Sequence, residues 1–154
     1  MTVAVGKKIP AFSTPATGDQ TISSKDLMGR AYVLYFYPRD NTPGCTTEGE
    51  DFRDNYAKFR RRKVAVLGVS RDSLRSHERF KAKYEFPFEL LSDEDEKLCA
   101  MFDVMKQKNM YGKKVRGIER STFLIDATGR LRREWRKVKI DGHVAEVLEA
   151  TREL

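Results

Sequence analysis

Of the two cysteines in this 154-residue chain, Cys45 stands where a thiol becomes reactive. The run Tyr37-Pro38-Arg39-Asp40-Asn41-Thr42-Pro43-Gly44-Cys45 leaves an apolar, strand-like stretch, crosses a turn rich in Pro, Asp, Asn and Gly, and enters an amphipathic helix. Cys45 falls in the first turn of that helix, where unpaired amides and the positive end of the dipole stabilise a thiolate, the form of sulfur that attacks. Phe52 follows it by seven residues, which puts the sulfur on the inward stripe of Phe52, Tyr56 and Phe59. Two helix starts are open: Thr42 as cap with Pro43 in first position, or Thr47-x-x-Glu50 as a capping box. A cysteine that is merely a small buried hydrophobe is the alternative. It needs neither a Pro-Gly turn before it nor a hydroxyl three residues upstream, so a reactive Cys45 is the better reading, although spacing alone does not identify a substrate.

Rival chemistries fit the residues less well. A cysteine hydrolase needs a histidine to activate the thiol. His77 lies in the charged stretch SHERFK and His143 opens a terminal helix, so both are expected at the surface or as caps. The Cys-x-x-Cys of a dithiol oxidoreductase is absent around Cys45. Two Cys and two His at 45, 77, 99 and 143 match no ligand module, so no metal is expected.

The elements that must position Cys45 read as alternating strands and helices. β-formers gather at 31–37, 63–69, 121–126 and, less clearly, 131–138. Helical patterns cover 43–61, 73–84, 94–102 and 142–153. That alternation gives an α/β class with right-handed crossovers and helices on both faces of a sheet. Ligands in such folds gather where strands end and helices begin, which is the junction after Tyr37.

Bulk properties set the outer bounds. Hydrophobic residues make up 40% and charged residues 34%, as in a soluble globular domain, and the whole of 1–154 is expected to form one domain. The longest apolar run, Ala31 to Tyr37, is too short to span a bilayer, and MTVAVGKKIP has no secretory pattern, so a cytoplasmic protein without membrane association is expected. The net charge of +7 is uneven: residues 106–139 hold 12 Lys/Arg against three acidic residues. That favours anionic partners. No nucleic-acid-reading signature accompanies it, so a basic interaction module built on KFRRRK (58–63) and GRLRREWRKVK (129–139) is the rival from another class.

The motif Pro38-x-x-x-Thr42-x-x-Cys45 resembles the signature of the peroxiredoxins, and YFYPRDNTPGCTTEG is similar to their bacterioferritin-comigratory, or Q-type, subgroup. The likeness continues through GVSRDS, SHERFKAKY, LLSDED, KNMYGKKVRGIERSTFLID and WRKVKIDGH, nearly the whole chain after Lys7. It implies a thioredoxin-like fold, a central mixed β-sheet flanked by helices, with an N-terminal extension at about Ile9 to Ile22. It also implies a thiol-dependent peroxidase that reduces hydrogen peroxide and organic hydroperoxides through a sulfenic acid, without a cofactor. In that family Cys45 would be the peroxidatic thiol and Thr42 would meet the peroxide through its hydroxyl. The amides of Gly44 and Cys45 would point into the same pocket, and Pro38 would wall the sulfur from water. The family's arginine falls on Arg120, whose planar fork suits holding thiolate and peroxide together better than lysine would. Glu48 belongs to the pattern as a positioning residue.

The match fails at the second thiol. Many Q-type enzymes carry a resolving cysteine five residues after the first, where this chain has Glu50; others carry it in the helix resembling SHERFKAKY, which has none here. Cys99 is the remaining candidate, on a short amphipathic helix where a buried structural cysteine is commoner. A one-cysteine cycle is therefore expected, with thioredoxin, glutaredoxin or a low-molecular-weight thiol reducing the sulfenic acid directly. A two-cysteine cycle through Cys99 is the alternative. Q-type relatives are commonly monomers, and a monomer is expected.

Overall fold

The computed structural model describes residues 2–154. Its elements run β1 (Ser13–Ala16), β2 (Gln20–Ser23), β3 (Ala31–Phe36), α1 (Pro43–Asp54), α2 (Tyr56–Arg61), β4 (Val64–Ser70), α3 (Leu74–Tyr84), β5 (Glu89–Ser92), α4 (Lys97–Met101), β6 (Met105–Met110), β7 (Lys113–Ile118), β8 (Ser121–Ile125), β9 (Leu131–Trp135) and α5 (His143–Ala150), closed by a 3-10 turn over Thr151–Glu153. Seven strands form one sheet in the order β2-β1-β5-β4-β3-β8-β9, while β6 and β7 pair only with each other. The β3–β4 and β4–β5 ladders are parallel and the rest antiparallel, so the sheet is mixed as expected. Among the described residues no helix is long and apolar enough to cross a membrane.

All of β3 is buried because the strand is covered on both faces, which is why it reads as an unbroken apolar run. Alternation sorts its side chains. Val33, Tyr35 and the following Tyr37 face a core with Cys45, Phe52, Phe59, Phe80 and Val147, drawn from α1, α2, α3 and α5. Tyr32, Leu34 and Phe36 face a second core with Leu98, Cys99 and Phe102 around α4, and with Phe12 from the N-terminal segment. The stripe expected on the first helix is present: Cys45, Phe52 and Phe59 are buried, with Tyr56 packed at the edge. Burying each phenylalanine contributes about 1.5–3 kcal/mol.

Several expectations are corrected. The helix expected over 43–61 is two helices, because Asn55 leaves helical geometry (φ −104°, ψ 3°) and its side-chain amide donates to the Asp51 carbonyl at 2.8 Å, competing with the backbone ladder. The helix expected over 94–102 shrinks to 97–101, since Asp93 caps it from outside by accepting from the amides of Leu98 and Cys99 at 3.0 and 2.8 Å. The strand expected over 131–138 stops at Trp135, and the last helix stops at Ala150. The hairpin of β1 and β2, the short β5 and the hairpin of β6 and β7 carry no strong periodicity and were not expected; the first of these occupies much of the expected N-terminal extension.

Candidate active site

Helix α1 starts at Pro43, with Thr42 in the cap position. Proline suits that first turn because its missing N–H would have had no partner. The Thr42 hydroxyl does not cap; it donates to the Arg39 carbonyl at 2.9 Å and keeps its lone pairs free. The alternative start is not used, since the Thr47 hydroxyl donates to the Pro43 carbonyl at 3.0 Å from inside the helix. Cys45 lies in the first turn and is only 2% exposed.

One arginine joins the sulfur to a carboxylate. Arg120, between β7 and β8, donates from Nη2 to Cys45 Sγ at 3.3 Å and from Nη1 to Glu48 Oε1 at 2.5 Å. Its backbone is fixed by the carbonyl bond to the Val138 amide at 3.0 Å. Burial works against the charge of Arg120, but Glu48 and the sulfur outweigh it and hold the guanidinium more firmly protonated than usual. Glu48, one helical turn after Cys45, is fully buried. Burial pushes its pKa up to about 7, against the charge and hydrogen bond of Arg120. Its other oxygen, Oε2, has no hydrogen-bond partner, and neither has the buried hydroxyl of Tyr35, whose own pKa is driven well up by burial and then by the charge of Glu48.

Close approach explains the glycine. A Cβ on Gly44 would lie 3.1 Å from Ile140 Cδ1 and 3.3 Å from Arg120 Nη2, so any side chain there would press on the guanidinium. Ile140 was not foreseen, because it lies in the charged run WRKVKIDGH with no periodicity to single it out.

The loop carrying Pro38 and Thr42 is held by buried polar groups. Tyr37 donates from its hydroxyl to Asp40 Oδ1 at 2.6 Å, Ser76 donates to Asp40 Oδ2 at 2.8 Å, and His77 Nδ1 lies 2.7 Å from the same oxygen. His77 Nε2 sits 2.9 Å from the Leu91 carbonyl, which can only accept, so that nitrogen carries a proton. The Asp40 amide donates to Asp72 Oδ2 at 2.9 Å. Both histidines therefore correct the expectation of surface residues. His77 is 0% exposed and clamps the loop, and His143 is 4% exposed with Nε2 2.7 Å from Thr122 Oγ1. Burial lowers the His143 pKa to about 4, which leaves its ring neutral at neutral pH. Asp40, Asp72 and His77 form the one group of metal-ligand types close together among the described residues, and the bonds just described, with one from Ser70 to Asp72, occupy them.

Of the expected residues, Cys45, Arg120, Glu48 and Gly44 meet at one point, and Thr42 and Pro38 flank it on the preceding loop. Cys99 does not join them. It is buried in the core on the other face of the sheet, with its thiol pKa raised far above the usual range by burial and then by the Asp93 hydrogen bond.

The chain is similar to known proteins over nearly its whole length. A profile of the AhpC/TSA family matches residues 5–134. Peroxiredoxin Bcp of Bacillus subtilis is 48% identical over 154 residues, 100% of this chain and 98% of that one. A Xanthomonas campestris bacterioferritin comigratory protein, solved as trapped intermediate and ligand complexes bearing on its alkyl peroxide reduction activity, is 48% identical with a TM-score of 0.88, covering 92% of this chain and 90% of that one. Peroxiredoxin Q of Xylella fastidiosa superposes with a TM-score of 0.94 at 43% identity over 99% of this chain and 98% of that one.

Proposed function

The chain belongs to the AhpC/TSA family, in its Bcp or Q-type peroxiredoxin branch, and is a thiol-dependent peroxidase; from that premise we propose that Cys45 is its peroxidatic thiol and that it works in a one-cysteine cycle. The observation that carries this reading is the 3.3 Å contact from Arg120 to a sulfur whose residue is only 2% exposed.

The Cys45 thiolate attacks one peroxide oxygen in line, so that an S–O bond forms as the O–O bond breaks. The sulfur is oxidised to sulfenic acid and the leaving oxygen departs, with a proton, as water or an alcohol. Negative charge shifts from sulfur to that oxygen during the step. Arg120 is already in place to follow it, held by Glu48, so little reorganisation is needed. Thr42 spends its hydroxyl proton on Arg39, which leaves its lone pairs to accept from the hydroperoxide O–H. Gly44 keeps space beside Arg120, and half-buried Pro38 limits water at the sulfur.

An external thiol then attacks the sulfenic sulfur and displaces water, and a second thiol releases reduced Cys45 as a disulfide leaves. The seven-stranded sheet between Cys45 and Cys99 supports this route over a two-cysteine cycle. Thioredoxin, glutaredoxin or a low-molecular-weight thiol would serve as reductant for hydrogen peroxide and organic hydroperoxides, in a cytoplasmic monomer. Stopped-flow peroxide consumption tests the core of the proposal: wild type should oxidise stoichiometrically and Cys45→Ser not at all. A Cys45→Ser protein that still consumes peroxide would refute it.

A further inference from the structure

Hairpin β6–β7 stands outside the main sheet, and its tip is built against its own conformational preference. Met110 pairs with Lys113, which leaves Tyr111-Gly112 as a two-residue turn with φ of 53° and 78°. Such a turn favours Asn, Asp or Gly in its first position, because a bulky side chain at positive φ is strained. Tyr111 nevertheless occupies it, and the residue is 100% exposed, so no packing within the chain repays the strain. Met110 beside it is 50% exposed and Val115 41%.

Charge around this apolar tip has one sign. Residues 105–118 contain five Lys/Arg and no acidic residue. Arg116 bonds Glu96 and anchors the hairpin to the body, while no ion pair to Lys113 or Lys114 exists among the described residues. The base of the hairpin reaches the active site: Lys108 donates to the carbonyl of the last strand residue, Ile118, and Arg120 follows Ile118 by two positions.

We infer that the tip of this hairpin, Tyr111 with Lys113 and Lys114, is the docking surface for the protein that reduces Cys45, a thiol protein whose reactive face is apolar and rimmed by carboxylates. Tyrosine is among the side chains enriched where binding energy concentrates at protein interfaces, and surrounding lysines would steer an acidic partner toward the sulfur. Isolated basic charge would suit nucleic acid equally; the strained, solvent-facing tyrosine is what favours a protein. The inference rests on the external-thiol cycle proposed above.

Two variants leave the chemistry untouched. Tyr111→Asn supplies a residue the turn prefers, so the fold should be retained or gain stability, and Lys113→Glu/Lys114→Glu reverses the charge. Each is assayed in three ways: stopped-flow oxidation of Cys45 by peroxide, turnover with dithiothreitol, and turnover with thioredoxin and its reductase. The expected result is that KM for thioredoxin rises about tenfold in both variants, and that the charge-reversed variant loses most of the salt dependence seen in wild type. The first two rates should stay within about twofold of wild type. Unchanged KM for thioredoxin in both variants would overturn the inference, as would wild type that turns over with dithiothreitol but not with thioredoxin. Loss of binding to anionic vesicles or nucleic acid with the thioredoxin KM intact would also overturn it. Failure of wild type in the stopped-flow assay would instead count against the function proposed for Cys45.

Discussion

Arg120 does two jobs with two nitrogens, one on the sulfur and one on Glu48, and a lysine has a single point of charge to offer. Arg120→Lys should therefore slow Cys45 oxidation by about a hundredfold while leaving the fold intact, as read by stopped flow and circular dichroism; a change under threefold would remove Arg120 from the reaction. Glu48 makes a separate, pH-dependent prediction. Its folded pKa of about 7 lies above the ordinary 4.5, so between those values the native chain holds a proton that the unfolded chain has lost. Stability tied to the neutral carboxyl is thus complete below pH 4.5 and is lost as pH rises through 7, by roughly 3 kcal/mol from a shift of this size. Glu48→Gln should flatten urea-denaturation stability across that window relative to wild type, and equal slopes in the two proteins would contradict it. Cys45 was legible at this scale from its turn and helix start. Arg120 was not, since it is one of sixteen arginines and its role depends on a contact across 75 residues of chain; only family likeness singled it out.

Helix α1 carries the thiol, and its packing is tight where it has no side chain to spare. A Cβ on Gly49 would fall 2.5 Å from Phe86 Cζ, so Gly49→Ala must displace that ring or the helix. The expected cost is about 1–3 kcal/mol in urea denaturation, with slower peroxide oxidation because Cys45 shares the displaced helix. A neutral substitution would mean that Phe86 yields freely. The same helix hides the sulfur at 2% exposure, so in the proposed cycle a partner thiol reaches the sulfenic acid only if this segment opens. Hydrogen exchange across 43–59 should accelerate on oxidation, and identical exchange in both forms would argue against opening. The stripe of Cys45, Phe52 and Phe59 made the segment of α1 and α2 readable, whereas the break between them at Asn55 turned on one side-chain hydrogen bond. Hairpin β6–β7 was unreadable for the opposite reason: a ribbon exposed on most of its surface has no apolar alternation to announce it.

At the scale of the whole molecule, the sheet divides the chain into two cores with one thiol in each. Cys99→Ser should therefore keep peroxidase turnover with thioredoxin within about twofold of wild type, and mass spectrometry of peroxide-treated protein should find no internal disulfide. Complete loss of turnover, or a Cys45–Cys99 bond, would restore the two-cysteine route. The α/β class followed from the order of strands and helices; the burial of His77 and His143 did not, because charged neighbours in sequence disguised residues that point inward. A partition of this kind has a kinetic meaning. In the one-cysteine cycle proposed above no second sulfur waits on the same side, so an oxidised molecule has no internal clock to reset it, and how long it stays spent depends on how often a reductant arrives. Starved of reductant, the population would accumulate in the spent state, and the fraction found there would register the balance between oxidant and thiol supply around it.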